Sequence, residues 1–561
     1  MDFTWRVGGE AGYGIETAGN LFARMCVKHG LSIFGDREYP SLIRGGHNNF
    51  SVRFSDKVLT SQSGVCDFLA ALNELTITEE LPTMNMGGVV IHDVSVKSPK
   101  NVKSYAVPLS EIAGKHGNAR LMMNTVILGS SARLVGFTKS VCLNVIRAHF
   151  KRKGEAVIKS NIDAFSDGFD FIKESFCACK KLKASNDVML VDGNIAFSIG
   201  SLRAGCNFVS AYPMTPATSI LEYLCEKAGE CGVRAIQAED EISAINNVIG
   251  AGYTGARALT CTSGGGFALM TEGISLAGMS ETPVVIVLSQ RPGPATGLPT
   301  RTEQGDLLFA LNAGHGEFTR IILAPGDVNE CYDDALSAFN YADMYQTPVI
   351  VMTDKHIGAS IQSVKPFKDS YVIKRGLLAK STKALPEAHR FKRYAFTKSG
   401  VSPRPLPGVK NLISCSIGDE HDEEGFIVES GKDRKAICDK RLRKHELVSR
   451  ELSNGVSVYG KGDVTIVGWG STKGAILESL IELKKLGVNA KFVQVRIISP
   501  FPVRAFKKAV SGKVILVEGN RDGQLSKLVN EIGVSHVLFN KYDGRPIHPS
   551  EVTSAVRRLV K

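Results

Sequence analysis

The sequence predicts an α/β protein of several domains with mostly parallel sheets, and three observations carry that expectation. At 561 residues the chain is several times longer than one hydrophobic core ordinarily runs, which suggests roughly three to four domains. Strand-like and helix-like runs alternate nearly from end to end, the pattern of strands joined through crossover helices. With 43% hydrophobic residues, 22% charged residues and 56 glycines, the composition is that of a globular protein with many tight turns, which excludes collagen, coiled coil and disorder.

Four segments are expected. Residues 1–185 open with a strand at Phe3 to Val7, a glycine turn GGEAGYGIETAGN and a helix, and close in the polar stretch ESFCACKKLKASND. Residues 186–362 contain five apolar strand candidates, at Asn207 to Ala211, Arg234 to Gln237, Ala258 to Thr262, Pro283 to Ser289 and Pro348 to Thr353. Residues 363–461 are rich in proline and charge, with PRPLPG at Pro403 to Gly408 and an acidic cluster at Asp419 to Glu424, and read as a basic crossover or linker rather than a core. Residues 462–561 return to clean alternation, with strands in DVTIVGWGS, NAKFVQVRI and KVILVEGN and helices from about Lys473 and Gly523.

Several function classes are disfavoured. The longest apolar runs, Thr282 to Leu288 and Val464 to Trp469, fall far short of the roughly 18 residues a membrane span requires. The N-terminus MDFTWRVGGE lacks the basic, apolar and small-residue succession of a secretory leader, and the twelve cysteines are scattered singly, so a cytoplasmic location is expected. The one close pair, Cys177 and Cys179, has no second pair or nearby histidine and is weak as a metal site. No four-cysteine run for an iron–sulfur cluster exists in the chain.

The net charge is +12, and 20 Lys and Arg against 11 Asp and Glu between Lys365 and Arg450 account for 9 of it. Nucleic acid is not expected as a partner, because aromatic interleaving and zinc spacing are missing. An acidic protein partner or a plain solvated surface accounts for the same excess.

The chemistry is expected at the carboxyl ends of the strands in 186–362. Tyr212-Pro213-Met214-Thr215-Pro216 follows the first strand, Glu239-Asp240-Glu241 the second, Ser263-Gly264-Gly265-Gly266 the third and Gln290-Arg291-Pro292-Gly293-Pro294 the fourth. In an open parallel sheet these ends share one edge, where ligands bind, so the four motifs should converge. Arg291 offers a planar two-pronged donor for a carboxylate or phosphate, or else an ion-pair partner for Glu239, Asp240 or Glu241. Thr215, between prolines, is either a hydroxyl donor on a stiff turn or simply part of that turn. Glu241 opens an amphipathic helix with Ile242, Ile245, Val248 and Ile249 on one face, and a carboxylate there commonly serves the helix dipole or cap. The triple glycine admits close approach of another molecule or of a packed helix. In the N-terminal loop, Gly9, Gly12 and Gly14 resemble a dinucleotide fingerprint loosely, with Asp36 as a candidate ribose-binding acid, and coenzyme A fits as well as NAD.

These residues together resemble the 2-oxoacid:ferredoxin oxidoreductases, in particular the alpha subunit of the 2-oxoglutarate type with a gamma domain fused at its N-terminus. AYPMTPAT resembles that family's Tyr-Pro-Ile-Thr-Pro signature, and QAEDEISAINNVIGAGYTGARALTCTSGGGFALMTEG and SQRPGPATGLPTRTEQGDL resemble its next blocks. REYPSLIRGGHNNFSVR resembles the gamma block, and GDEHDEEG, VRIISPFP and EGNRDGQL the downstream motifs. The departures are Met214 for the usual isoleucine and Gly265 where proline is common.

The resemblance implies a gamma-type α/β domain, a doubly wound thiamine-diphosphate domain of the pyrimidine-binding type and a transketolase C-terminal-like domain. It implies oxidative decarboxylation of a 2-oxoacid, 2-oxoglutarate in particular, with coenzyme A as co-substrate, giving acyl-CoA, carbon dioxide and reduced ferredoxin. Thiamine diphosphate would be shared with a beta subunit, because no GDG motif followed by paired asparagines stands in this chain. Mg²⁺ and a [4Fe–4S] cluster are expected in that subunit, in an (αβ)₂ assembly.

By the same resemblance Glu241 is the catalytic carboxylate at the thiamine aminopyrimidine, with Tyr212 and Pro213 beside the cofactor. Thr215, Arg291 and Thr300 contact the 2-oxoacid carboxylate, and Gly12, Gly14 and Arg37 take part in coenzyme A binding. The competing expectations are a broad-specificity 2-oxoacid enzyme, a non-catalytic structural or regulatory subunit, and a nicotinamide-dependent dehydrogenase using the N-terminal glycine loop.

Overall fold

The computed structural model describes residues 1–41, 45–175, 187–368, 370–380 and 390–560. Cys177 and Cys179 lie outside the described residues. The chain forms two units, Met1–Asp192 with Ala359–Pro366, and Gly193–Gly358 with Phe367–Lys561.

The first unit is built on an eight-stranded sheet in the order Lys103–Val107, Met84–Asp93, Cys66–Ala71, Asp2–Gly9, Asn48–Ser55, Ser32–Glu38, Ile361–Val364 and Met189–Val191. Strand Asp2–Gly9 runs parallel to Cys66–Ala71 and antiparallel to Asn48–Ser55, so the sheet is mixed. Its core gathers Trp5, stacked on Phe22 at 4.1 Å, with Phe50, Phe54, Phe68 and Phe165. The expected break at residue 185 falls elsewhere. Ile361–Val364 pairs antiparallel with both Ser32–Glu38 and Met189–Val191, so both late strands complete the first sheet and the boundary moves to Asp192.

The second unit holds a seven-stranded sheet in the order Ile497–Ser499, Ile321–Leu323, Pro348–Asp354, Val284–Gln290, Ala258–Thr262, Phe208–Ala211 and Arg234–Gln237. Every pair is parallel except the first, in which Ile497–Ser499 runs antiparallel along Ile321–Leu323. The five strands expected between 186 and 362 are all present, with ends within one residue of the expected ones. Residues 462–561 contribute four strands of a five-stranded sheet, the fifth being Val456–Gly460, and also lend the edge strand Ile497–Ser499 to the larger sheet.

The segment 363–461 is more than a linker. Residues Gly431–Glu451 form a 21-residue helix started by the Ser430 side chain, which accepts from the Asp433 backbone N–H. From it the buried Lys440 and Lys444 both reach Glu281, Lys444 Nζ donating to Glu281 Oε2 at 2.7 Å and also to the Gln346 carbonyl. Arg441 forks onto Glu420 at 2.7 and 2.9 Å, and Arg404 pairs with the buried Asp343, which also accepts from Arg257. Part of the basic charge is therefore matched inside the fold, while residues such as Lys365, Lys398 and Lys432 are exposed. Burial raises the cost of the Glu281 carboxylate, yet Lys440 and Lys444 hold it well below the usual carboxylate range, and burial brings Lys440 down to about 8.

Among the described residues no helix is long and apolar enough to cross a membrane.

Candidate functional site

Strands Phe208–Ala211, Arg234–Gln237, Ala258–Thr262 and Val284–Gln290 are parallel neighbours, so their carboxyl ends lie on one edge. The turn 212–216, the acids 239–241, the glycines 264–266 and Arg291 follow those ends directly. The contacts join them. Arg291 Nη1 donates to the Thr215 carbonyl at 2.6 Å. Ser263 Oγ donates to the Met214 thioether at 2.7 Å, giving a role in the turn to the one residue that departs from the Tyr-Pro-Ile-Thr-Pro pattern. Asn194 Nδ2 donates to the Pro216 carbonyl at 2.8 Å and fixes the turn from behind.

The acidic trio divides its labour. Glu239 is exposed. Asp240 is the N-cap of helix Glu241–Tyr253, accepting from the Ser243 N–H at 2.7 Å, so the capping role considered for Glu241 belongs to its neighbour. Glu241 is buried at 3% exposure, and its Oε1 has no hydrogen-bond donor. Arg291 makes none of the ion pairs with this trio that the sequence left open; its Nη1 donates to the Thr215 carbonyl instead. On the helix, Ile245, Val248 and Ile249 face the core as expected, whereas Ile242 is 50% exposed. By periodicity it lies beside Ile249, and its exposure comes from its place in the first turn, at the open end of the helix.

The triple glycine is the space in which this carboxylate fits. A Cβ on Gly266 would stand 2.1 Å from Thr262 Oγ1 and 2.5 Å from Glu241 Oε1, whereas one on Gly265 would meet only the Ala295 carbonyl at 3.8 Å. Replacing Gly266 by alanine is expected to push Glu241 aside, cost about 1–3 kcal/mol of stability and cut turnover at least roughly tenfold, read by thermal unfolding and steady-state assay. Gly265→Ala is the matched control and should be near neutral.

Two further acids enter that the sequence reading gave no role. Asp306 lies against Gly264, where a Cβ would stand 2.6 Å from Oδ2, and burial raises its carboxyl to about 6 against the opposing pull of Arg291. Burial and then Asp306 raise Glu303 to about 7. The available signal was the sixteen-residue loop from Arg291 to Asp306, which ends in a helix N-cap position before LLFALN. Thr300 is buried in that loop, with 7% exposure. The loop is anchored at its far end, with Gln304 Nε2 donating to the Trp469 carbonyl at 2.9 Å and Gly519 N–H donating to Gln304 Oε1 at 2.8 Å. Tyr212 is 39% exposed beside the half-buried Pro213.

In the first unit, Gly12 is exposed, with φ +94° and open space where a side chain would be. Gly14, at φ +70°, precedes helix Ile15–Lys28, and a Cβ there would stand 2.0 Å from Asn124 Nδ2, so its left-handed backbone and its packing both favour glycine. Arg37 is already engaged, Nη1 donating to Glu16 at 2.6 Å and Nη2 to Asp192 at 3.3 Å. Asp36 is buried.

Comparison with known proteins follows the same division. The family described as pyruvate flavodoxin/ferredoxin oxidoreductase, thiamine diP-bdg, matches residues 199–437, and that described as pyruvate ferredoxin/flavodoxin oxidoreductase matches residues 4–171. The 2-oxoacid:ferredoxin oxidoreductase subunit alpha of Saccharolobus solfataricus is 35% identical, the alignment covering 100% of this chain and 98% of the relative. The 2-oxoglutarate synthase subunit KorA of Methanocaldococcus jannaschii is 34% identical over 66% of this chain and 99% of its own. The 2-oxoglutarate:ferredoxin oxidoreductase of Magnetococcus marinus, solved with 2-oxoglutarate, coenzyme A and succinyl-CoA bound, superposes with a TM-score of 0.91 at 32% identity and covers 100% of both chains.

Proposed function

Because the chain belongs to the 2-oxoacid:ferredoxin oxidoreductases, as an alpha subunit with the gamma-type domain at its N-terminus, we propose that it forms half of an active site for oxidative decarboxylation of 2-oxoglutarate. The other products and reactants in this reading are coenzyme A, succinyl-CoA, carbon dioxide and reduced ferredoxin. A beta subunit completes the site in an (αβ)₂ assembly and carries Mg²⁺, the cofactor diphosphate and the [4Fe–4S] cluster.

The observation that carries the reading is the meeting of Thr215, Glu241 and Arg291 at one sheet edge, with a buried carboxylate oxygen left without a donor. An unpaired buried oxygen is costly unless a ligand supplies its partner, and an aminopyrimidine N–H fits that need. Thiamine diphosphate, when bound, supplies a nucleophilic carbon and an electron sink for the decarboxylation. Glu241 would hold its ring and manage the proton there, and Tyr212 and Pro213 would flank it. Arg291 gives the 2-oxoacid carboxylate a fixed cationic partner, aimed by its bond to the Thr215 carbonyl. The Thr215 and Thr300 hydroxyls are further donors for the same carboxylate. In the N-terminal unit, Gly12 leaves room for coenzyme A, with Gly14 shaping the loop and Arg37 at its side.

Arg291→Ala is expected to raise the KM for 2-oxoglutarate roughly 100-fold, about the loss of one charge-assisted pair, while thiamine diphosphate binding measured by calorimetry is retained. Unchanged KM would remove the assignment. A broad 2-oxoacid specificity is the second reading, favoured by one observation: Arg291 can address only the carboxylate common to all 2-oxoacids. Equal kcat/KM for pyruvate and 2-oxoglutarate would establish it.

A further inference from the structure

We propose that Asp306 is a positioning residue that sets the charge Arg291 presents, so that the site's affinity for a 2-oxoacid carboxylate falls as the Asp306 carboxyl ionises. The inference rests on the reading that Arg291 binds that carboxylate.

The geometry holds Asp306 at the strand end that carries Arg291. Its backbone N–H donates to Gln290 Oε1 at 3.0 Å, and Gln290 Nε2 donates to the Thr353 carbonyl at 3.1 Å, so the residue before Arg291 fixes Asp306 to two strands at once. Both carboxylate oxygens press on Gly264, where a Cβ would stand 2.6 and 2.7 Å away. Oδ2 is buried and has no donor. One glycine turn thus carries two carboxylates, Glu241 at Gly266 and Asp306 at Gly264, each with one oxygen unpaired. The cofactor accounts for the first and nothing yet accounts for the second. A buried carboxylate oxygen without a donor is relieved most simply by a proton on the group itself.

The charged groups that act on Asp306 are Arg291 from the strand end and Glu303 from its own loop. Gln290 and Gln524, which donates to the Gly305 carbonyl at 2.6 Å from helix Gln524–Glu531, are neutral. With the Asp306 carboxyl raised to about 6 by burial, it is neutral below that pH and leaves Arg291 its full field. Above it, the anion offsets the guanidinium and repels the substrate carboxylate.

The test is the KM for 2-oxoglutarate from pH 5.5 to 8.5 in the enzyme assembled with its partner subunit. In the parent, KM should rise roughly three- to tenfold across the ionisation with kcat following its own profile. In Asp306→Asn, KM should stay at the low-pH value throughout, an effect that a merely structural defect would not produce. A KM profile in folded Asp306→Asn that matches the parent overturns the inference while leaving Arg291 its role. If Arg291→Ala leaves KM unchanged, the reading beneath it fails instead, and the inference with it. Should Asp306→Asn not fold, Asp306→Ser decides: it too removes the ionising group, so KM should stay at the low-pH value throughout, and a profile matching the parent overturns the proposal.

Discussion

Glu241→Gln is expected to lower turnover roughly 100- to 1000-fold, the range for losing a positioned proton-handling group, while the chain stays folded. The substitution keeps the shape that fills the space over Gly266 and removes only the ability to exchange a proton at Oε1. Because that oxygen has no donor in the fold, Glu241 contributes little to stability in return for its burial. The thermal midpoint of the cofactor-free variant should therefore equal or exceed that of the parent, as at many sites where function is maintained at the expense of stability. Retained turnover would remove Glu241 from the mechanism, and a strongly lowered midpoint would assign it to structure.

The largest effect on stability is expected far from this site, at Glu281. Its carboxylate is buried between Lys440 and Lys444, all three with side chains at most 4% exposed. Glu281→Ala strands two buried ammonium groups and should destabilise the second unit by about 3–5 kcal/mol, measured by denaturant unfolding. Because the Glu281 carboxyl is held below its ordinary value, its contribution is fully present above the unfolded range near pH 4 and is lost as pH falls below that. Acid unfolding of the parent should accordingly be steeper than that of Glu281→Leu combined with Lys440→Met and Lys444→Met, which removes all three charges together. That triple variant should recover much of the lost stability, since apolar replacement of a whole buried ion cluster is often near neutral.

What the sequence made legible was local. The inner strands of the seven-stranded sheet, Ala258–Thr262, Val284–Gln290 and Pro348–Asp354, are apolar runs buried on both faces, so pattern alone located them. Shared polarity then brought Thr215, Glu241 and Arg291 to one edge. The rest depends on contacts distant in sequence. Nothing in GKDRKAICDKRLRKHELVSRE announces that its lysines are buried, because their partner Glu281 lies 159 residues away from Lys440. Ile497–Ser499 and Ile361–Val364 are three and four residues long, too short for periodicity to assign them a sheet. Asp306 reads as an ordinary helix-starting acid until its carboxylate is seen against Gly264.

The strand Ile361–Val364 has a consequence for how the molecule is made. The sheet of the N-terminal unit keeps an unfilled slot beside Ser32–Glu38 until the ribosome has released residue 364, some 170 residues after the rest of that unit has emerged. At translation speeds of about 5–20 residues per second that is a wait on the order of ten to thirty seconds with a β-edge left unpaired. Chaperone occupancy of the nascent chain should be concentrated in that interval, and a recombinant fragment cut at residue 192 would carry the same open edge permanently.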